Sequence, residues 1–180
     1  MKPEAMSNIM RKIIVDKITL NIGAGTEAEN VDKAAALLKV ISGGAKVVKT
    51  VCTKRIATWK LRPGLPVGAM VTLRGKKAEA LLKQVLQAVS FEIMPKSFME
   101  NGFSFGIKEY IDIPRIKYDP KIGILGLDVT VSLKRAGFRV KTRKIRKARI
   151  GPAQRISAKD AQAWAQETLG VKMKEEVERL

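Results

Sequence analysis

The chain has 180 residues, 46% of them hydrophobic, which is enough to build a core and argues against wholesale disorder. Lysine and arginine outnumber aspartate and glutamate 35 to 17, for a net charge of +18. With no histidine and one cysteine, Cys52, the chain excludes histidine general bases, Ser-His-Asp triads, histidine- or thiolate-built zinc sites and an intramolecular disulfide.

The first strong signal lies at 13–22, where Ile14, Ile18, Leu20 and Ile22 alternate with Lys17, Thr19 and Asn21. That pattern predicts a half-buried strand. Residues 21–25, NIGAG, end it. Thr26 is the expected N-cap of a helix running to about Ile41, with Glu29 completing a capping box. Val31, Ala34, Ala35, Leu38 and Ile41 mark its buried stripe, and Ser42-Gly43-Gly44 stop it. Residues 46–56 are rich in valine and threonine and predict a strand. Residues 57–66, ATWKLRPGLP, read as a loop, and 67–74 as another alternating strand.

An amphipathic helix follows at 76–89, with Leu81, Leu82, Val85, Leu86 and Val89 inward. Residues 91–102 carry no clear pattern. Phe103, Phe105, Ile107 and Ile111 then alternate with Ser104, Gly106, Lys108 and Tyr110. A turn region with Pro114 and Pro120 leads to a last strand near 124–135, with Leu125, Leu127, Val129, Val131 and Leu133 inward. Residues 137–154 form a basic arm without periodicity. Ser157 caps a helix to about Leu169, with Asp160 at the third position, and the charged tail after Gly170 is expected to fray.

The order predicts an α+β fold: an antiparallel sheet with helices on one face, plus the arm and a short C-terminal helix. The other sheet face carries Thr19, Asn21, Thr72, Lys108, Thr130 and Ser132, and is left open to a ligand. The whole of 1–180 reads as one domain, with a projecting loop at 57–66, the arm at 134–155 and the last helix at 157–169. The lone cysteine fits a reducing compartment, residues 1–12 lack a signal-peptide core, and no run approaches about 18 apolar residues. A cytoplasmic location is expected.

The charge is not spread evenly. No acid occurs between Lys33 and Ala78, nor between Val129 and Ser157. Such surfaces repel themselves unless a polyanion neutralises them, and a phosphate backbone is the commonest polyanion. A membrane surface is disfavoured because the arm has no amphipathic aromatic face. Residues 134–149 hold nine cations and no carboxylate, as in arginine-rich segments that order on RNA. In the loop, Lys54, Arg55, Lys60 and Arg62 surround Trp59. Its indole either stacks on a base or folds back as a core plug. The turn at 21–25 lacks a full phosphate-binding motif. It is either a glycine turn or a weak phosphate contact. Asp112, Asp119 and Asp128 read as turn or surface carboxylates rather than a metal cluster. No catalytic residue, metal or cofactor is expected. A nucleotide-using enzyme or a protein-only adaptor using the open sheet face are the competing classes.

Three segments carry a resemblance: ITLNIGAG, KVVKTVCTKRIATWKLRPGLPVGAMVTLRG and FSFGIKEYIDIPRIKYDPKIGILGLDVTV. They resemble the universal large-subunit ribosomal protein L-five family, in its archaeal and eukaryotic branch, and the resemblance covers about residues 9–170. It implies an antiparallel sheet backed by helices, and a structural, non-enzymatic role in the ribosome. It implies binding to 5S rRNA, docking of that RNA onto large-subunit rRNA in the central protuberance, and neighbouring ribosomal proteins as partners. It further implies that Thr58, Trp59, Lys60, Leu61, Arg62 and Pro63 reach peptidyl-site tRNA. With the charge pattern, it makes Arg11, Lys12, Asn21, Lys46, Lys49, Lys54, Arg55, Arg74, Arg139, Lys141, Arg143, Lys144, Arg146 and Lys147 the expected rRNA-binding residues.

Overall fold

Residues 8–174 are described by a computed structural model; the readings made above for the two chain ends beyond them lie outside the described residues. β1 (Ile13–Gly23) is the spine of a six-stranded sheet. It pairs antiparallel with β3 (Pro66–Leu73) on one side and β7 (Leu127–Arg135) on the other. β2 (Val48–Val51) extends the β3 side; β6 (Gly102–Ile107) and β5 (Phe98–Met99) extend the β7 side.

The register explains the two faces. Ile18, Leu20 and Ile22 lie opposite Leu73, Val71 and Ala69 on β3, and all six are buried. Val131 and Val129 continue the same rows on β7. This face is covered by α1 (Ala28–Ile41) through Leu37 and Leu38, by α2 (Lys76–Ala88) through Leu82 and Leu86, and by α4 (Ala158–Leu169) through Ala161 and Ala165. Each fully buried leucine of that layer contributes about 2 kcal/mol or more by leaving water. A capping box at Ser157 and Asp160 starts α4, as the sequence indicates.

The structure differs from the sequence reading at several points, each with a physical cause. The register shifts between Val15 and Lys17, which makes Asp16 the extra residue of a bulge and reverses the alternation. Ile14 is therefore exposed, while Ile13 and Val15 pack on the core. The helix after the glycine turn has Glu27, not Thr26, at its N-cap position; the Glu27 carboxylate makes no capping bond to the backbone and instead accepts from the Asn30 side chain at 2.8 Å. The strand expected over 46–56 shrinks to Val48–Val51, because only those residues find ladder partners on β3.

Ile111 leaves the sheet and is exposed in a single turn of 3-10 helix, Tyr110–Asp112. Tyr110, expected to face out, is fully buried. Its hydroxyl accepts the Asp119 backbone N–H at 3.1 Å, which gives the buried polar atom a partner. The tail does not fray up to its last described residue: β8 (Lys172–Met173) pairs parallel with β4 (Glu92–Ile93), and Val171 is buried. β4 and β5 both fall in the stretch that lacked a pattern.

Candidate nucleic-acid interface

The open sheet face is a ladder of small polar side chains. One cross-strand row runs Thr72, Thr19, Thr130, Ser104; the next runs Met70, Asn21, Asp128, Gly106. Thr19 and Thr72 hydroxyls lie 3.5 Å apart. Asn21, Ser104, Phe105, Gly106, Asp128 and Thr130 line a shallow, open depression on this face. Small hydroxyls and one amide beside a carboxylate can donate to and accept from base edges and ribose hydroxyls. Asn21, expected from the sequence, is in this row. Asp128, read as a turn or surface carboxylate, stands directly opposite it.

Strand direction places the two basic regions at opposite ends of the sheet. β1 starts at Ile13 beside Arg135, the last residue of β7, so the basic arm leaves from that end. Arg11 and Lys12 enter β1 there, and Arg74 leaves β3 at the same end. β2 leaves and β3 enters the sheet at the other end, beside Gly23, so the connection at 52–65 projects from there. The eleven residues of β1 separate the two ends by about 30 Å at ~3.3 Å per residue.

The projecting connection is a hairpin, not a slack loop. Cys52 N–H donates to Leu65 O at 2.8 Å and Gly64 N–H to Cys52 O at 2.9 Å. Ile56 and Leu61 exchange backbone bonds of 3.1 and 3.0 Å around a tip at 57–60. Lys60 turns that tip with φ 54°. Trp59 is 66% exposed, which removes the core-plug alternative. Thr58, Lys60, Arg62 and Pro63 are exposed beside it and Leu61 is half-buried. Lys54 and Arg55 sit exposed on the stem.

The arm holds Arg139 and Lys141 on a four-residue helical turn, α3 (Arg139–Thr142), and Arg143, Lys144, Arg146 and Lys147 beyond it, all exposed. Its roots are pinned. Arg135 donates to Ala153 O at 3.0 Å, and Gln154 Nε2 donates to Ala136 O and Met10 O, each at 2.8 Å. Sequence reasoning missed Arg135 as an organiser, and missed Gln154 altogether. A glutamine in an aperiodic run carries no signal until its partners are known.

Not every expected cation is free. Lys49 is paired with Asp32, and Arg74 lies 3.5 Å from Asp16, which also holds Lys134 at 2.8 Å. Lys46 is exposed ahead of β2. The glycine turn at 21–25 leads into a helix whose first positions carry Glu27 and Glu29. Those carboxylates already complement the helix dipole, so a phosphate is poorly favoured there. Among the described residues, no three acidic or cysteine side chains converge as a metal would require. No helix among the described residues is long and apolar enough to cross a membrane.

Two family models match this chain. One described as "Ribosomal protein L5" covers residues 8–62, and a second, for the C-terminus of the same ribosomal protein family, covers residues 66–160. Among curated proteins, the chain is 48% identical to the large ribosomal subunit protein uL5 of Nanoarchaeum equitans, over 93% of this chain and 99% of that one. The uL5 protein of Sulfurisphaera tokodaii is 46% identical over 85% of this chain and 86% of its own. That of Archaeoglobus fulgidus is 40% identical over 94% of each.

Proposed function

The chain belongs to the ribosomal protein L5 family of the large ribosomal subunit, and we propose that it binds 5S rRNA there and anchors it to large-subunit rRNA in the central protuberance. The hairpin at 57–66 then contacts peptidyl-site tRNA. The whole chain acts as one RNA-binding domain in the cytoplasmic ribosome, beside neighbouring ribosomal proteins, and performs no catalysis.

The observation that carries this is the layout of the surface. An open polar face is flanked at opposite ends by two basic elements, so one molecule can touch distinct RNA surfaces about 30 Å apart. The arm, with nine cations in 134–149, suits phosphate backbones. The polar ladder with Asn21 suits base edges and riboses. The hairpin, with an exposed indole between cations, suits stacking on an exposed RNA elbow.

The test is binding to 5S rRNA against an unrelated RNA of the same length, across a salt series. Selective binding is expected, with each neutralised phosphate adding roughly −0.9 to the slope of log K against log salt on duplex, and less on single strands. Equal affinity for both RNAs would refute the selective part.

A further inference from the structure

One cavity lies apart from the sheet face and the hairpin. It has a volume of about 490 Å³ and sits between the basic arm and the turn that joins β5 to β6. Glu100 and Asn101 of that turn line one side; Phe138, Lys141, Lys147 and Arg149 of the arm line the other. The volume falls in the ~300–1,000 Å³ range of small-ligand pockets.

The turn wall is held through its backbone, and the arm wall is held at its roots and at Ala148. Asn101 N–H donates to Ile156 O at 3.2 Å and Asn101 O accepts Leu133 N–H at 2.8 Å, which ties the turn to β7 and to the segment ahead of α4. Gln154 and Arg135 pin the roots of the arm, and Ala148 N–H crosses the arm to Val140 O at 3.2 Å. Lys141 Nζ stands over one face of the Phe138 ring, 5.6 Å from its centroid, so this wall carries an aromatic ring with a cation stacked on it.

Glu100 is the odd member. It is an exposed carboxylate facing an arm without any acid, and no ion pair holds it among the described residues. On a surface for phosphate alone it lowers affinity. A carboxylate only accepts, so it suits a ligand edge that donates. Guanine is the one RNA base with two adjacent donors on one edge, N1–H and the N2 amino group. Adenine and cytosine each offer one amino group, and uracil one imide N–H.

We propose that this cavity binds one unstacked guanosine nucleotide of single-stranded RNA: base against Phe138, N1–H and N2–H on Glu100, phosphates on Lys147 and Arg149. Asn101 supplies a further amide at the rim. The proposal rests on the RNA-binding reading above and adds a base preference to it.

The experiment uses the full chain and three probes: the hexanucleotides UUGUUU and UUAUUU, and free guanosine monophosphate. Anisotropy at physiological salt should show UUGUUU binding about tenfold tighter than UUAUUU, the discrimination one good bidentate contact supplies. Glu100→Gln should bring the two affinities together without weakening UUAUUU. Phe138→Leu should weaken both with the fold unchanged by circular dichroism. Equal binding of the two oligomers by the unaltered chain would overturn the proposal. Monophosphate binding tighter than UUGUUU would overturn the assignment to RNA in favour of a free-nucleotide site. 5S rRNA selectivity, measured alongside, separates the two claims. If it is retained while guanosine preference is missing, the cavity proposal alone fails. If guanosine preference persists while 5S selectivity is missing, the proposed function fails.

Discussion

Arg135 and Asp160 join the strand that feeds the basic arm to the helix that follows it: Arg135 Nη2 lies 3.3 Å from Asp160 Oδ2. The same carboxylate oxygen receives the Ser157 N–H, so it closes the box that starts α4 while it restrains the root of the arm. Arg135 is mostly covered, and its other fork atom reaches Ala153 O. One guanidinium thus ties β7, the end of the arm and α4.

Loss of the two partners should therefore differ in cost. Arg135→Ala leaves Ala153 O without its side-chain donor and Asp160 with the Ser157 N–H alone, and should cost about 2 kcal/mol. Asp160→Ala removes a partly exposed ion pair and half a capping box, worth about 1 kcal/mol. Arg135→Lys keeps the charge but not the fork and should fall between them. Urea titrations of the three variants give the order. A larger loss for Asp160→Ala than for Arg135→Ala would show that the helix cap, not the tie, matters most.

The arm itself should be loose only between its roots. Val140, Lys141, Arg143 and Ala148 have backbone acceptors, while 144–147 show none. Like charges without a neutralising acid add to the cost of ordering that tip. Amide exchange at 144–147 should be fast in the free protein and slow with RNA bound. Gln154→Ala removes the bonds to Ala136 O and Met10 O and should speed exchange back to about residue 140. Strong protection of 144–147 without RNA would show that the fold alone orders the tip.

Much of this layout is legible in the sequence where one face of an element is buried. β7 alternates cleanly because Leu127, Val129, Val131 and Leu133 all face the helices. The open face is legible for the same reason, as the polar phase of the same strands. What the sequence hides is pairing. Ile14 looks like a core residue because the bulge at Asp16 is a property of two strands together. Valine and threonine continue past Val51, but β-propensity counts only where a partner strand exists. β4, β5 and β8 have two residues each and are made by their neighbours. Tyr110 goes inward because Asp119, nine residues on, satisfies its hydroxyl. Closure of the arm by Gln154 joins residues 144 positions apart, which no local pattern encodes.

Two glycines hold the strands at close approach. A Cβ on Gly102 would meet the Val131 carbonyl of the neighbouring strand, and one on Gly68 would lie 2.5 Å from Ile22 O and 3.0 Å from Thr50 Oγ1. Both opposing carbonyl oxygens are backbone and cannot turn away. Gly102→Ala and Gly68→Ala should each cost about 2 kcal/mol or more. Gly102 also follows the turn bearing Glu100 and Asn101. Its variant should therefore disturb the cavity as well as the melting temperature, whereas Gly68→Ala should lower the melting temperature alone. A thermally neutral Gly102→Ala would mean that the strand pair opens at little cost.

The hairpin at 57–66 gives the sharpest separation of RNA partners. Lys60 and Arg62 are exposed near its tip, at the end of the sheet opposite the arm. Replacing both by alanine should leave the fold and 5S rRNA affinity nearly intact, because little packs on them. If the hairpin touches tRNA, the defect should appear in assembled ribosomes as faster release from the peptidyl site. An exposed ion contact is worth at most about 1 kcal/mol, or roughly a fivefold change for each cation. Trp59→Ala discriminates further. With the indole 66% exposed, its loss should leave the melting temperature almost unchanged and speed tRNA release by as much as a lost base stack, about 1–3 kcal/mol. A destabilisation near 3 kcal/mol would instead mean that the indole packs on the stem in solution. Melting temperature, 5S rRNA affinity and tRNA off-rate, taken on the Lys60/Arg62 and Trp59 variants together, assign the hairpin. Loss of 5S rRNA binding with tRNA release unchanged would place the hairpin on 5S rRNA and leave the tRNA contact without support.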